Sequence, residues 1–417
     1  MKHNIILILS LSMCLMAHGQ EILSKQTALD QTLENNFDIR LSENDLEQAD
    51  NSQGILNSGY LPTVESSGSG TYAEFRGNTG TQSNLSIGVN YVLFNGFNRK
   101  NTFKRLKESY NISEVQARQI VENTMLTLFT AYYEVARLEE NEKNQEQALA
   151  ISKDRLKRAI YGFEFGQQTK LDVLNAEVDM NNDSINYIEI QRQLANAKRD
   201  LNVVMGTDVQ LEMKVDTTVY YLEDLSLDSL TSGALTNNAS LIQAEKQIEL
   251  GKYDVKINRS TWMPTVSVSS AYRMTQSDFI PVVGGVNTSV NFSWNVFDGG
   301  RTSTNVQNAK INVNSAEIRK NQFEEQLKRD VFNAWETYQN LLFTYEVQKK
   351  NLETNLRNFE RTDEGYKLGQ ISSIDFRLAQ VNLLNAALTL SQAKYNAKNA
   401  ELRLLQLSGK LIDNTLF

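Results

Sequence analysis

The sequence predicts a mixed α/β membrane protein in which β-barrel strands are continuous with a long α-helical coiled coil. Three observations carry that expectation. Short segments alternate apolar and polar residues with a period of two, much longer segments place apolar residues at heptad spacing, and the whole arrangement occurs twice. The two halves of the 417-residue chain align without a gap from Phe94 to Gly206 at a constant offset of 203 residues. Phe94 falls on Phe297, Gly96 on Gly299, Phe129 on Phe332, Gly166 on Gly369, Asp172 on Asp375 and Gly206 on Gly409. Pro62 falls on Pro264 at an offset of 202, so the single length change lies between the prolines and the phenylalanines. The chain is expected to be an internal duplication.

The first residues have the form of a secretory leader, residues 1–19. Lys2 gives a positive start, Ile5 to Met16 is apolar apart from serines and Cys14, and Ala17-His18-Gly19 offers a cleavage site. The apolar run is shorter than the ~20 residues that a spanning helix needs. Lipidation at Cys14 is not expected, because Met13 is larger than the residues that usually precede a lipidated cysteine. Loss of the leader would remove the only cysteine and both histidines, His3 and His18. Disulfides, thiol nucleophiles, Cys/His metal sites and imidazole catalysis are then excluded. No catalytic residue, metal ligand or cofactor is expected. Net charge is −8, or −9 without Lys2, which argues against a nucleic-acid partner.

The first unit spans 20–206. It opens with a helix from Leu23 to about Asn57, which Pro62 closes. A β-hairpin follows at about 60–94, with Leu85, Ile87, Val89, Tyr91 and Leu93 alternating against Asn84, Ser86, Gly88 and Asn90. A helical hairpin is expected over about 97–205, its seam marked by Val121, Met125, Leu128, Tyr132 and Val135. A linker, 207–232, leads to the second unit, 233–417. That unit has a helix from about Ala234 to Asn258, a β-hairpin at about 262–297 and a helical hairpin at about 300–408. Its strands alternate Val266, Val268, Tyr272 and Met274 with polar neighbours, and later Val290, Phe292, Trp294 and Val296 with Asn291, Ser293 and Asn295. Its seam continues through Val331, Trp335, Tyr338, Leu342, Tyr345, Leu352, Leu356 and Phe359. Loops are expected at Arg76 to Ser83 and Ser277 to Asn287, leaving strands of roughly 10 residues, enough for a tilted bilayer crossing. Each long helix of about 65 residues would be a rod of roughly 95 Å, far more than a globular core requires.

Four strands per protomer with one lipid-compatible face leave two open edges, and an open edge in hydrocarbon leaves backbone groups unsatisfied at several kcal/mol each. The sheet must therefore close with copies of itself. Three protomers would give a trimeric 12-stranded barrel around a lumen lined by Ser, Thr, Asn and Gly. A soluble β-sandwich would instead bury the apolar strand faces, and a purely fibrous coiled coil would leave the strands unexplained.

Taken together, these features resemble the TolC-like outer-membrane efflux protein family, the outer membrane factors, over nearly the whole mature chain. The residues that carry the likeness are Gly59-Tyr60-Leu61-Pro62, the strand exits Phe94-Asn95-Gly96 and Phe297-Asp298-Gly299-Gly300, and two turn motifs. The turns run from Gly166-Gln167-Gln168-Thr169-Lys170-Leu171-Asp172 and from Gly369-Gln370-Ile371-Ser372-Ser373-Ile374-Asp375. The resemblance implies a homotrimer in the cell outer membrane, in contact with its lipid, with a helical tunnel reaching into the periplasm. It implies two partners: a periplasmic adaptor (membrane fusion) protein and an inner-membrane transporter of resistance-nodulation-division or ABC type. Phe165, Gly166, Gln167, Leu368, Gly369 and Gln370 would be the adaptor-docking tip. Asp172 and Asp375 would lie at the periplasmic aperture, either as rings of carboxylates that favour cations or as ordinary charges at helix N-termini. Tyr366 would help tie the tip closed, with a hydrogen bond to Asp172. The chain departs from the family pattern where Ile371 and Leu378 stand in place of an arginine and an aspartate, so an apolar ring is expected there. The implied function is a passive exit duct for efflux or type I secretion. The alternative is a non-conducting coiled-coil scaffold or adhesion protein. The transported substrate and the particular pump are not legible in the sequence.

Overall fold

The computed structural model describes residues 22–75, 77–223, 225–278 and 280–412. The leader, its cleavage site and Cys14 lie outside the described residues. Two compact units emerge, and each draws on both halves of the sequence. Of the described residues, one comprises those in 22–40, 121–230 and 331–412, the other those in 41–120 and 231–330. Among the described residues no helix is long and apolar enough to cross a membrane.

The chain begins with the two-residue strand β1 (Ile22–Leu23) and helix α1 (Lys25–Asn35), whose N-cap Ser24 accepts a hydrogen bond from the Thr27 backbone N–H. The expected single helix to Asn57 is interrupted at Asn36, and helix α2 (Phe37–Gln53) starts anew. The cause is local: the Asn36 backbone is extended, and its side-chain oxygen accepts from the N–H groups of Asp38 and Ile39 at 2.9 and 3.1 Å. Asparagine offers the backbone this alternative to helix propagation.

In the second compact unit the strands β2 (Thr63–Phe75) and β3 (Asn78–Asn95) form the first hairpin. The expected loop from Arg76 to Ser83 is instead almost entirely paired strand. Phe75 pairs with Asn78, and Thr79, Gly80, Thr81 and Gln82 extend the ladder. Thr79 and Thr81 are β-branched and suit a pleated strand despite their polarity. The second hairpin, β5 (Thr265–Ser277) with β6 (Ile280–Ser293), closes in the same way at Ser277 and Ile280, so the expected loop to Asn287 is likewise mostly strand. The strands are 13, 18, 13 and 14 residues long rather than about 10. The alternation read through Trp294 and Val296 ends early: β6 stops at Ser293, and the Trp294 indole donates to the Trp262 carbonyl at 3.1 Å.

The sheet order is β2-β3-β5-β6, all antiparallel, so β2 and β6 are its edges. Its register places Ile87, Tyr272 and Val286 side by side on one face. The other face carries serine pairs, Ser67 with Ser86 and Ser269 with Ser289, each at 2.8 Å. Among the described residues no core covers the apolar face: Val290 is 68% and Phe292 66% exposed. A soluble sandwich would have buried these residues.

Helix α3 (Asn98–Glu164) leads to α4 (Lys170–Met205), and after β4 (Lys214–Val215) come α5 (Leu227–Asn237) and α6 (Ala239–Ser260). Asn238 separates α5 from α6 as Asn36 separates α1 from α2, its side chain accepting from Ser240 and Leu241. Helix α7 (Arg301–Lys367) and α8 (Ser373–Leu407) complete the chain. In the first compact unit the core is built on aromatic side chains, Phe129, Tyr132, Tyr133, Tyr338 and Tyr395, with Leu402 and Leu405. Burial pushes the phenols of Tyr132, Tyr133, Tyr338 and Tyr395 up, so they remain neutral donors. Tyr132 and Tyr395 use that capacity to fasten the segments at β1 and β4. Tyr132 donates to the Leu23 carbonyl at 2.6 Å and accepts from the Asp216 N–H at 2.9 Å. On α8 the buried Lys398 donates to the Tyr220 carbonyl and to Glu401, which also receives the Leu222 N–H and the Tyr338 hydroxyl.

Candidate functional site at the helix turns

The two turns between long helices, α3 to α4 and α7 to α8, have the same backbone. At the first, Gly166 N–H bonds to the Phe163 carbonyl and Gln167 N–H to the Gly162 carbonyl, at 3.1 and 2.7 Å. At the second, Gly369 bonds to Tyr366 and Gln370 to Gly365, at 3.1 and 2.9 Å. This is the Schellman pattern, which needs a left-handed residue at the helix end. Gly166 and Gly369 supply it at φ +75° and +72°. No heavy atom lies within 4 Å of where their Cβ atoms would stand, so these glycines are needed for φ and leave open space for a partner.

A second glycine pair, Gly162 and Gly365, escaped the sequence reading although it obeys the same offset. A Cβ at Gly162 would meet Gln168 Cγ at 2.9 Å, and one at Gly365 would meet Ile371 Cγ1 at 2.6 Å. These glycines let the first residues of the return segment fold back onto the outgoing helix. Ile371 therefore lies half-buried against Gly365. Leu378, by contrast, is 59% exposed. Phe165 and Leu368 are apolar yet largely exposed, at 78% and 72%, beside exposed Gln167 and Gln370.

Asp172 and Asp375 both close capping motifs. The Asp172 carboxylate accepts from the Thr169 N–H at 2.8 Å and its hydroxyl at 2.7 Å, while the Asp172 N–H bonds back to Thr169 Oγ1. Asp375 makes the side-chain half of this arrangement with Ser372, whose hydroxyl donates to it at 2.7 Å and accepts from its N–H at 3.1 Å. The bonds from Thr169 hold the Asp172 carboxyl below the ordinary carboxylate range. A depressed pKa contributes stability that is present above the unfolded value and lost as pH falls through the folded one. Thr169→Ala is expected to loosen the α4 start by about 1 kcal/mol. Hydrogen exchange of residues 170–173 should then quicken near neutral pH, and the difference from the unaltered protein should shrink once Asp172 is protonated.

The expected hydrogen bond from Tyr366 to Asp172 is not formed within the chain. Asp172 is engaged by Thr169, and the Tyr366 ring stacks on Phe376 at 4.6 Å with its hydroxyl enclosed and unpartnered. What does hold the turns is a cluster that sequence spacing could not show. Arg377 on α8 forks onto Asp183 on α4 at 2.6 and 3.0 Å, and its Nε lies 3.6 Å from Asp179. Arg155 on α3 pairs with Asp179 and donates to Ser373 at 3.0 and 3.1 Å. Ser152 also donates to Asp183, and Gln380 to the Ala148 carbonyl. The side chains of Arg155 and Asp183 are each only 3% exposed. Among the described residues no group of three or more His, Cys, Asp or Glu is placed to hold a metal ion.

The arrangement has clear relatives. The Outer membrane efflux protein family profile matches residues 28–207 and again 230–410. Over 411 residues the chain is 21% identical to the outer membrane efflux protein BepC of Brucella suis biovar 1 (strain 1330), covering 95% of this chain and 89% of that protein. It is 21% identical over 394 residues to the cation efflux system protein CusC of Escherichia coli O157:H7, covering 91% and 84%. Among solved structures, the Campylobacter jejuni CmeC outer membrane channel superposes with a TM-score of 0.80 at 20% identity, over 93% of this chain and 86% of that one. Matched along nearly its whole length, this chain belongs to the outer membrane efflux protein family, channels of the outer membrane that reach into the periplasm and are not enzymes.

Proposed function

We propose that the protein is the exit duct of a tripartite efflux or type I secretion system, a homotrimer that conducts substrates passively while an inner-membrane pump supplies the energy. The observation that carries the reading is the sheet itself: four strands with free edges β2 and β6 and an uncovered apolar face. Twelve strands from three copies would satisfy both edges in lipid. The helices of the first compact unit support the same closure. Side-chain bonds order them α4, α3, α8, α7, through Gln191 with Glu142, Lys394 with Glu140 and Tyr338 with Glu401. The outer pair carries unburied apolar stripes, Leu171, Leu174, Val178, Ile185 and Ile188 on α4, and Phe332, Phe343 and Val347 on α7. A stripe on each edge suits a head-to-tail ring of copies.

The repeated element order and the double match to one family profile support the duplication. Phe165, Gly166, Gln167, Leu368, Gly369 and Gln370 form the docking tip for a periplasmic adaptor, coupled to a transporter of resistance-nodulation-division or ABC type. Asp172 and Asp375 supply negative charge at the aperture, and Ile371 with Leu378 narrows it, aided by Tyr366. CusC is named for cation efflux, and the substrate class of this chain is left to its pump.

Single-channel current of the purified trimer in a planar bilayer tests the reading. Wild type should pass a small, cation-preferring current. Asp375→Ala should weaken the cation preference at least about twofold, and Ile371→Ser with Leu378→Ser should raise the current by a similar factor. No current from any inserted form would leave a scaffold in place of a duct.

A further inference from the structure

We infer that Arg99, Lys100, Lys104 and Lys107, at the end of the sheet where the long helices leave it, bind the phosphate headgroups of anionic phospholipid in the leaflet facing the periplasm. This rests on the barrel reading above and fixes where the bilayer ends along the chain. The protein carries a net charge of −8, yet from Phe97 to Lys107 there are five basic residues and no acidic one. Helix α3 has no acidic residue in its first turn, and α7 begins with Arg301, although a helix start favours anions. The helices that begin at the turns obey that preference with Asp172 and Asp375. Cations on the helices that leave the sheet therefore answer to an anion outside the helix. Arg105 is neutralised by Asp254 at 2.6 Å. Among the described residues, no carboxylate pairs with Arg99, Lys100, Lys104 or Lys107.

Ring contacts put these cations on the lipid side. The Arg99 guanidinium stands 5.6 Å from the centre of the Tyr91 ring and 5.0 Å from that of Tyr60, within cation–π range. Tyr91 belongs to the apolar face of the sheet, since it registers with Val268 and Val268 with Val290. One turn beyond Arg99, Phe103 meets Tyr60 edge-on at 6.4 Å, and one turn further Lys107 lies 4.8 Å over Phe103. Arg99, Phe103 and Lys107 thus form one stripe of α3 that continues the apolar face, with exposed Lys100 and Lys104 beside it. Arg99 donates to the Leu93 and Gly59 carbonyls at 3.0 and 3.5 Å, which fixes the guanidinium and leaves further N–H groups to offer an anion. At the same end of the sheet Phe97, Trp262, Trp294 and Phe297 are exposed, and aromatic side chains of this kind settle at the level of lipid headgroups. A phosphate at that level meets only cations, whereas a zwitterionic headgroup brings its own ammonium into a positive site.

The test uses the delipidated full-length trimer in nonionic detergent, with bound lipid counted by native mass spectrometry. Dioleoylphosphatidylglycerol should bind about tenfold more tightly than dioleoylphosphatidylethanolamine, and the preference should fade as salt is raised. Lys100→Gln with Lys104→Gln and Lys107→Gln, all at exposed positions, should cut the preference to about twofold or less. If that variant assembles poorly, Lys100→Gln alone should lower the preference about threefold. The same loss of charge farther along α3, Lys143→Gln with Lys153→Gln and Lys157→Gln, should leave it unchanged. Equal binding of the two lipids, an undiminished preference in the Lys100 variants, or an equal loss in the control would overturn the inference. So would displacement of the phosphatidylglycerol by an equal concentration of inorganic phosphate, which would mark a site for free anions. In each of those cases insertion of the trimer into vesicles would leave the duct reading standing. Failure of every form to insert would overturn both, because it removes the barrel on which they depend.

Discussion

Asp183→Leu is expected to lower the stability of the helical unit by about 3–5 kcal/mol, because it removes one partner of a buried ion pair and leaves the other charged. The Asp183 carboxylate receives both terminal nitrogens of Arg377 and the Ser152 hydroxyl, and its side chain is 3% exposed. Asp179 lies 3.6 Å from Arg377 but already neutralises Arg155, so it cannot take up the stranded charge. The thermal midpoint of trimer dissociation should fall by on the order of 10 °C. The double change Asp183→Leu with Arg377→Met should recover much of the loss, since an apolar replacement of both partners removes the stranded charge. Glu353→Ala, which breaks an exposed pair with Arg357 on one helix, should change stability by no more than about 0.5 kcal/mol. Equal effects of Asp183→Leu and Glu353→Ala would show that the cluster is solvated in the assembled protein.

The contrast between those residues also marks what could be read in the sequence. Features set by local periodicity were visible: the period-two strands, the heptad seams, and the glycines that end α3 and α7. Turn length was not, because Thr79 to Gln82 are polar enough to look like loop while the cross-strand ladder decides their conformation. The breaks at Asn36 and Asn238 had a signal, an asparagine at matching places in both halves, but inside an otherwise helical pattern a solvent-facing asparagine looks the same as a cap. At the turns, Asp172 and Asp375 could be placed near the helix starts. Arg377 lay within view of the second motif, yet its partner Asp183 is 194 residues away, and nothing in either neighbourhood announces the pairing. The Tyr366 bond failed for a related reason. A nearby threonine on the same turn reaches Asp172 with less loss of chain entropy than a side chain from another helix.

Gly96→Ala is expected to disturb the protein far more than Gly299→Ala, although the two glycines hold equivalent places in the two halves. Both adopt left-handed φ, +65° and +69°, so alanine at either costs about 1–2 kcal/mol in backbone strain. At Gly299 nothing lies within 4 Å of the new methyl group, and strain is the whole effect. At Gly96 the methyl group would fall 2.5 Å from the Ser260 carbonyl oxygen and 2.7 Å from Met263 Cβ. That carbonyl accepts the Met263 N–H at 2.9 Å in the turn that ends α6 and delivers Pro264 into β5. Relief of the clash must therefore move the start of a central strand, since β5 pairs with β3 on one side and β6 on the other. The combined effect should be roughly 2–5 kcal/mol, read as a lower yield of heat-resistant trimer in the membrane fraction, with Gly299→Ala close to the unaltered protein. If the two variants behave alike, the close approach of Gly96 to the end of α6 does not persist in the assembled barrel, and the entry of β5 is set by Pro264 alone.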